Sequence, residues 1–167
     1  MQDKDVTAAE IVAGATKPQK HRLQHFSVRL VKGKSRLYPV TKIGTFADLV
    51  KIAQMELAHL PHEEVIAIGL DGKNQPIGVV KVSQGGVATT YLGPADIMRP
   101  LIAMGALAFV IAHNHPSGDP TPSQPDIDMT RALAAAAKCV GITLLDHVIV
   151  GGVRGGGAST LREFMAW

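Results

Sequence analysis

The stretch that decides the reading of this chain is AFVIAHNHPSGDPTPSQPD, Ala108 to Asp126. The apolar run Phe109 to Ala112 has the look of a buried strand. It delivers His113 and His115 into a segment rich in Pro, Gly and Ser, which ends at Ser123 and Asp126 where a helical pattern begins. Residues at i and i+2 of an extended segment point to the same side, with Cα atoms roughly 7 Å apart. Two imidazoles so placed can converge on one ion at about 2 Å per metal–nitrogen bond, and Asp126 can add a third, anionic ligand from the far side of the loop. Three protein ligands leave a fourth tetrahedral position for water, the arrangement that a catalytic zinc site uses.

Each part of this stretch also has a plainer explanation. His-x-His after a strand is often no more than the polar start of a loop. Ser123-x-x-Asp126, with Pro125 between them, has the form of a capping box at a helix start. The combination is what favours a metal. An apolar strand leads directly into His-x-His, a tight loop and a capped acidic residue, all within the fourteen residues from 113 to 126. Cap and ligand are compatible roles, because a helix start holds its first-turn side chains rigidly.

The run HNHPSGDPTPSQPD resembles the His-x-His, seven residues, Ser-x-x-Asp signature of the JAMM/MPN metalloprotease family. HPSGDPTPSQ and LLDHVIVGG (Leu144–Gly152) are similar to its bacterial RadC branch in particular. The resemblance covers about Glu63 to Phe164. It implies an α/β fold of the MPN/JAB type, related to cytidine deaminases: an α-β sandwich with a curved mixed sheet flanked by helices. It also implies that His113, His115 and Asp126 bind Zn²⁺, that Ser123 hydrogen-bonds the oxyanion, and that a glutamate at the start of an early strand serves as the base. Glu63 and Glu64 both stand at such a place. Ungapped spacing to Leu70-Asp71, compared with the RadC pattern, selects Glu63. On a strand Glu63 shares a side with Val65, Ala67 and Gly69, and Glu64 with Ile66, Ile68 and Leu70. The implied reaction is hydrolysis of a peptide or isopeptide amide through a metal-activated water. The substrate would be a protein or peptide, such as a ubiquitin-like conjugate.

The rest of the chain sets bounds. At 167 residues it is long enough for one domain with a substantial core, and 46% apolar against 19% charged residues reads as globular. The longest apolar stretches, such as Leu101–Ala112, fall short of the ~20 residues of a membrane span. The polar start MQDKDVTAAE lacks the layout of a secretory signal. Cys139 is the only cysteine, so no intrachain disulfide can form and a reducing bacterial cytoplasm is expected. Its place in an Ala-rich helical run suggests a small core residue. The net charge of +3 is unevenly spread: residues 1–60 hold ten Lys/Arg against five Asp/Glu, and residues 61–167 seven against nine. The basic stretch 17–42 could meet an anion, nucleic acid included, or serve as a solvated hairpin edge that resists aggregation.

In chain order, residues 1–20 read as a flexible arm or a weak helix around Thr7–Ala13, outside the core, and 21–167 as a single domain. Within that domain, residues 21–60 are expected to supply a basic hairpin (His25–Val31 with Arg36–Val40) and a helix from Thr45 to Leu60. Strands follow at Glu63–Leu70 and Pro76–Ser83, with a third suggested at Val87–Leu92. A helix runs from Pro94 to about Met104, with a kink expected at Pro100. The strand Ala106–Ala112 leads to the histidines. A helix from Asp126 to Val140, closed by Gly141, precedes a strand at Leu144–Val150 and a last short segment, Ser159–Ala166.

Other functions compete with hydrolysis. A nucleobase deaminase is excluded, because its zinc site needs His-x-Glu and Pro-Cys-x-x-Cys and this chain has one cysteine. A DNA-processing or DNA-repair protein, suggested by the RadC name and the basic N-terminal third, predicts a cluster of carboxylates for Mg²⁺. A non-catalytic MPN scaffold predicts lost ligands, yet every motif position holds the expected residue type. Asp119, between Gly118 and Pro120, reads as a turn residue, and His147 as a buried core or ligand-supporting histidine.

Overall fold

Every residue of the strand Glu64–Leu70 (β1) is buried, as expected of a central strand covered on both faces. A computed structural model describes residues 23–25, 27, 29–84, 92–152 and 156–164. Around β1 the order of elements is α1 (Phe46–Leu57), β2 (Pro76–Gln84), α2 (Pro94–Met104), β3 (Ala108–His115), α3 (Gln124–Val140), β4 (Thr143–Gly151), β5 (Ala158–Thr160) and a 3₁₀ turn at Arg162–Phe164. The strands form one five-stranded sheet in the order β2-β1-β3-β4-β5. β1 is antiparallel to both β2 and β3, β3 is parallel to β4, and β5 returns antiparallel. α3 is therefore the crossover that a parallel β3/β4 pair requires.

Side chains alternate between two apolar clusters. Ile66, Ile68, Leu70, Val110 and Ala112 face α1 and pack on Leu49, Ile52 and Leu57. Ala67, Phe109 and Ile111 face the other way, onto Ile97 and Leu101 of α2 and Leu133 and Ala137 of α3. The expected α/β sandwich is thus present as a mixed sheet with helices on both faces. Phe109 pairs with Leu144 but Val110 pairs with Asp146, so Leu145 is skipped. The extra residue inverts the alternation along β4: Leu144 packs towards α2 and α3, while Val148 and Val150 pack towards α1.

Local signals explain the helix limits. Thr45 and Asp48 form a capping box at the start of α1. Gly141 closes α3 at φ 72°, a left-handed conformation that costs glycine nothing. β3 extends through His115, so both histidines lie on the strand itself.

Two expectations are corrected. No strand forms among the described residues from 23 to 44, so the hairpin is absent there. Side-chain anchors replace strand pairing. Arg36 donates to Met55 O (2.9 Å) and Glu56 Oε1 (2.7 Å), Tyr38 Oη donates to Glu56 Oε1 (2.8 Å), and Tyr38 and Val40 pack against the α1 cluster. Cys139 is exposed, because the buried stripe of α3 runs through Asp126, Thr130, Leu133 and Ala137 and leaves residue 139 off it. The arm 1–20, the helix at 7–13 and most of the strand suggested at 87–92 lie outside the described residues. Among those described, no helix is long and apolar enough to cross a membrane.

Phe109 is fully buried at the centre of the α2/α3 cluster. Phe109→Ala is expected to lower unfolding free energy by about 3–5 kcal/mol, measured as a fall in the urea midpoint at unchanged slope.

Candidate metal centre

The alternation that sends Phe109 and Ile111 towards α3 sends His113 and His115 the same way. Asp126, on the first turn of α3, meets them there. His113 Nε2 lies 3.0 Å from His115 Nε2 and 3.2 Å from Asp126 Oδ1, and His115 Nε2 lies 3.6 Å from Asp126 Oδ2. These ligand atoms all fall within 4.8 Å of one another. Among the described residues no other group of three His, Cys, Asp or Glu side chains gathers in this way.

The histidines are oriented from behind. His115 Nδ1 lies 2.7 Å from the carbonyl oxygen of Asp119, which can only accept. The neutral His115 ring therefore carries its proton on Nδ1 and turns the Nε2 lone pair inward. His113 Nδ1 lies 2.7 Å from His147 Nε2, and His147 Nδ1 lies 2.5 Å from Thr130 Oγ1. With both ring Nε2 atoms beside a carboxylate, the pocket gathers acceptors and calls for a cation. Two imidazole nitrogens and one carboxylate suit zinc and comparable divalent ions.

The capping box at α3 holds the acid in place. Ser123 N donates to Asp126 Oδ2 (2.8 Å), Ser123 Oγ donates to the same oxygen (2.5 Å), and Asp126 N donates to Ser123 Oγ (3.4 Å). Burial alone would raise the Asp126 pKa. Bonds to His113, His115 and Ser123, with the His113 charge, outweigh it and hold the carboxyl well below the usual range. The His115 pKa is raised, first by its bond to Asp126; burial opposes this, while the Asp119 carbonyl and the charges of Asp126 and Glu63 add to it. Burial pushes the His147 pKa well down, and the neighbouring His113 charge adds to that.

The loop between His115 and Ser123 is built to be stiff. Asp119 Oδ1 accepts from Thr121 N (2.9 Å) and Thr121 Oγ1 (2.6 Å), the turn role expected of it. His115 O accepts from Gly118 N (3.0 Å) and from Gly152 N (2.9 Å), and Ser159 Oγ donates to Pro120 O (2.5 Å). The segment after β4 thus clamps the ligand loop. A Cβ at Gly152 would come within 3.1 Å of His115 O, so only glycine allows this approach without a shift.

The two glutamates take different environments. Val65 pairs with His113 at the end of the antiparallel β1/β3 ladder, and Glu63 lies two residues earlier, just before β1 and near His115. Its charge acts on that ring. Glu64 turns to the α1 face, where its Oε2 lies 2.5 Å from Lys81 Nζ and 3.5 Å from His62 Nε2. These are charge contacts rather than well-angled hydrogen bonds. Asn114 fixes the register: its Oδ1 accepts from Glu64 N (2.9 Å), and its Nδ2 donates to His62 O (2.9 Å) and, at 3.4 Å, to Leu60 O.

The family model of the RadC-like JAB domain matches residues 43–163. The chain belongs to the RadC-like JAB domain family. The sandwich described above is accordingly the α/β fold of that family. This RadC-like JAB domain is 44% identical over 104 residues to a UPF0758 protein of Carboxydothermus hydrogenoformans, covering 62% of this chain and 46% of that one. It is 42% identical over 110 residues to a UPF0758 protein of Clostridium perfringens, covering 66% and 48%. The chain spans about half the length of the curated relatives it matches.

Two residues of the site escaped sequence reasoning. Thr130 stands four residues after Asp126, on the same helix face, and that spacing was the available signal. Asn114 sits between the two ligands on the opposite side of the strand, where nothing local marks it.

Purified protein is expected to hold about one divalent ion per chain by elemental analysis. His113→Ala and Asp126→Ala should each lose it. Stoichiometric metal in both variants would refute the ligand set.

Proposed function

We propose that this RadC-like JAB domain is a zinc-dependent hydrolase of the JAMM type that cleaves a peptide or isopeptide amide. The observation that carries this reading is the convergence of His113 Nε2, His115 Nε2 and the Asp126 carboxylate, with the far nitrogen of each ring hydrogen-bonded elsewhere. These three residues would hold the ion. Zinc bound there supplies Lewis acidity, lowering the pKa of water and polarising the scissile carbonyl.

The remaining roles belong to the protein. Glu63, whose charge acts on His115, accepts a proton from the attacking water and returns it to the leaving amine. Its half-buried position leaves the carboxylate access to solvent. The Ser123 hydroxyl, which gives its one proton to Asp126 Oδ2 in this structure, would turn from that bond to donate to the developing oxyanion. The Asp119 carbonyl keeps His115 in the tautomer that faces the ion.

The substrate class is a protein or peptide, including a ubiquitin-like chain joined to a lysine. The cytoplasm is the compartment that fits a chain whose single thiol, Cys139, is exposed. The exposed cations Arg29, Lys32, Lys34 and Lys42 offer a surface for an anion, and nucleic acid there would be a partner rather than the bond that is cut. A Mg²⁺-type nuclease is disfavoured, because no cluster of carboxylates assembles among the described residues.

The test is a cleavage screen of ubiquitin-like conjugates, unstructured peptides and DNA. Glu63→Gln should retain the metal and lose about 10²–10⁴-fold in hydrolysis, while Glu64→Gln should stay within a few-fold of wild type. DNA cleavage that requires Glu63 and zinc would overturn the peptidase reading.

A further inference from the structure

Behind His113, away from the pocket, lies a line of buried polar groups that hydrolysis itself does not use. His113 Nδ1 meets His147 Nε2 (2.7 Å), His147 Nδ1 meets Thr130 Oγ1 (2.5 Å), and Thr130 Oγ1 donates to Asp126 O (2.6 Å). His113, His147 and Thr130 are each 0–1% exposed, so every one of these atoms must find its partner within the protein. The line begins at the metal ligand on β3, crosses β4 and ends on α3, one helical turn below the ligand Asp126.

The chemistry of each group allows two polarities. A hydroxyl can donate or accept, and a neutral imidazole donates from one nitrogen while accepting at the other. If Thr130 gives its proton to His147 Nδ1, then His147 Nε2 donates to His113 Nδ1, and the remaining His113 proton sits on Nε2, where it blocks the pocket. If Thr130 instead gives its proton to the Asp126 carbonyl, every bond reverses. His147 Nδ1 then donates to Thr130, His113 Nδ1 donates to His147 Nε2, and His113 Nε2 is a bare lone pair. The two arrangements hold the same number of protons. Only the second can bind a cation, and it exists because the hydroxyl has an alternative acceptor at 2.6 Å.

We propose that Thr130 is a positioning residue for the metal centre: acting through His147, its hydroxyl sets the tautomer of His113 that presents Nε2 to the ion. This rests on the metal-centre reading and extends it from the ligands to the groups that arm them, a kind of support on which metal affinity commonly depends. His147 serves as the link and contributes no bond to the ion.

Thr130→Val keeps the shape of the side chain and removes the hydroxyl. In the metal-bound form His147 Nδ1–H would then be buried without an acceptor, whereas the metal-free form can place that proton on Nε2, against His113. The variant therefore penalises metal binding more than folding. Competition with a chromophoric zinc chelator should show affinity for zinc reduced about 10–100-fold in Thr130→Val and near wild type in Thr130→Ser, with the thermal midpoints of the metal-free proteins within a few degrees of each other. In zinc-loaded wild type, long-range imidazole ¹H–¹⁵N spectra should place protons on Nδ1 of both His113 and His147. Equal zinc affinity in wild type and Thr130→Val, or an Nε2–H tautomer at His147 in the loaded protein, would overturn the relay and leave the metal centre standing. A loss of affinity in Thr130→Ser as large as in Thr130→Val would also overturn it. A wild-type protein that binds no zinc would remove the metal centre, and the relay with it.

Discussion

The constraint on which this structure depends is that β3 carries histidines into a fully covered part of the sheet. Buried polar groups are costly unless each is hydrogen-bonded. His113, Asn114, Asp126, Thr130 and His147 are all buried, and each has a partner supplied by a different element. Asn114 ties β3 to the backbone that leads into β1, His147 comes from β4, and Asp126 and Thr130 come from α3. Removing one of them would strand another. The polar cluster therefore joins the sheet to α3 alongside the apolar contacts of Leu133 and Ala137.

The same satisfaction rule shapes the side of the cluster that faces Asp126. Backbone carbonyls and neutral side chains engage the far nitrogens of His113 and His115, and Ser123 engages one oxygen of Asp126. What remains on the near side is two ring nitrogens and a carboxylate facing one another. In a low-dielectric interior such a set gains strongly from a positive charge. The fold builds an acceptor cluster by satisfying everything around it, and that cluster could hold a metal ion.

Rigidity comes from short-range chemistry in the loop and from one long-range clamp. The Asp119 turn and the Ser123 capping box are local and arise wherever such residues meet such backbone. The bonds from Gly152 and Ser159 to His115 O and Pro120 O reach across from the segment after β4. They tie the ligand loop at His115 and at Pro120 to the segment after β4.

Much of this was legible in the sequence. The i, i+2 spacing of His113 and His115 fixes their common side, Ser123-x-x-Asp126 fixes the acid on the first turn of a helix, and alternation in VIAIGL assigns Glu63 and Glu64 to opposite faces, because these are local consequences of backbone geometry. The expected hairpin in 25–40 failed because alternation shows that a strand could form, not that a partner is available; Arg36 and Tyr38 found α1 instead. Cys139 is exposed rather than buried, because Ala-rich composition does not reveal which stripe of a helix faces the sheet. Tertiary structure alone decided the position of His147. Counted straight from Leu144, simple alternation would turn His147 away from the site, towards α1. The residue skipped at Leu145, set by pairing β4 with β3, rotates it back beneath His113, and register between distant strands is not written in either strand by itself.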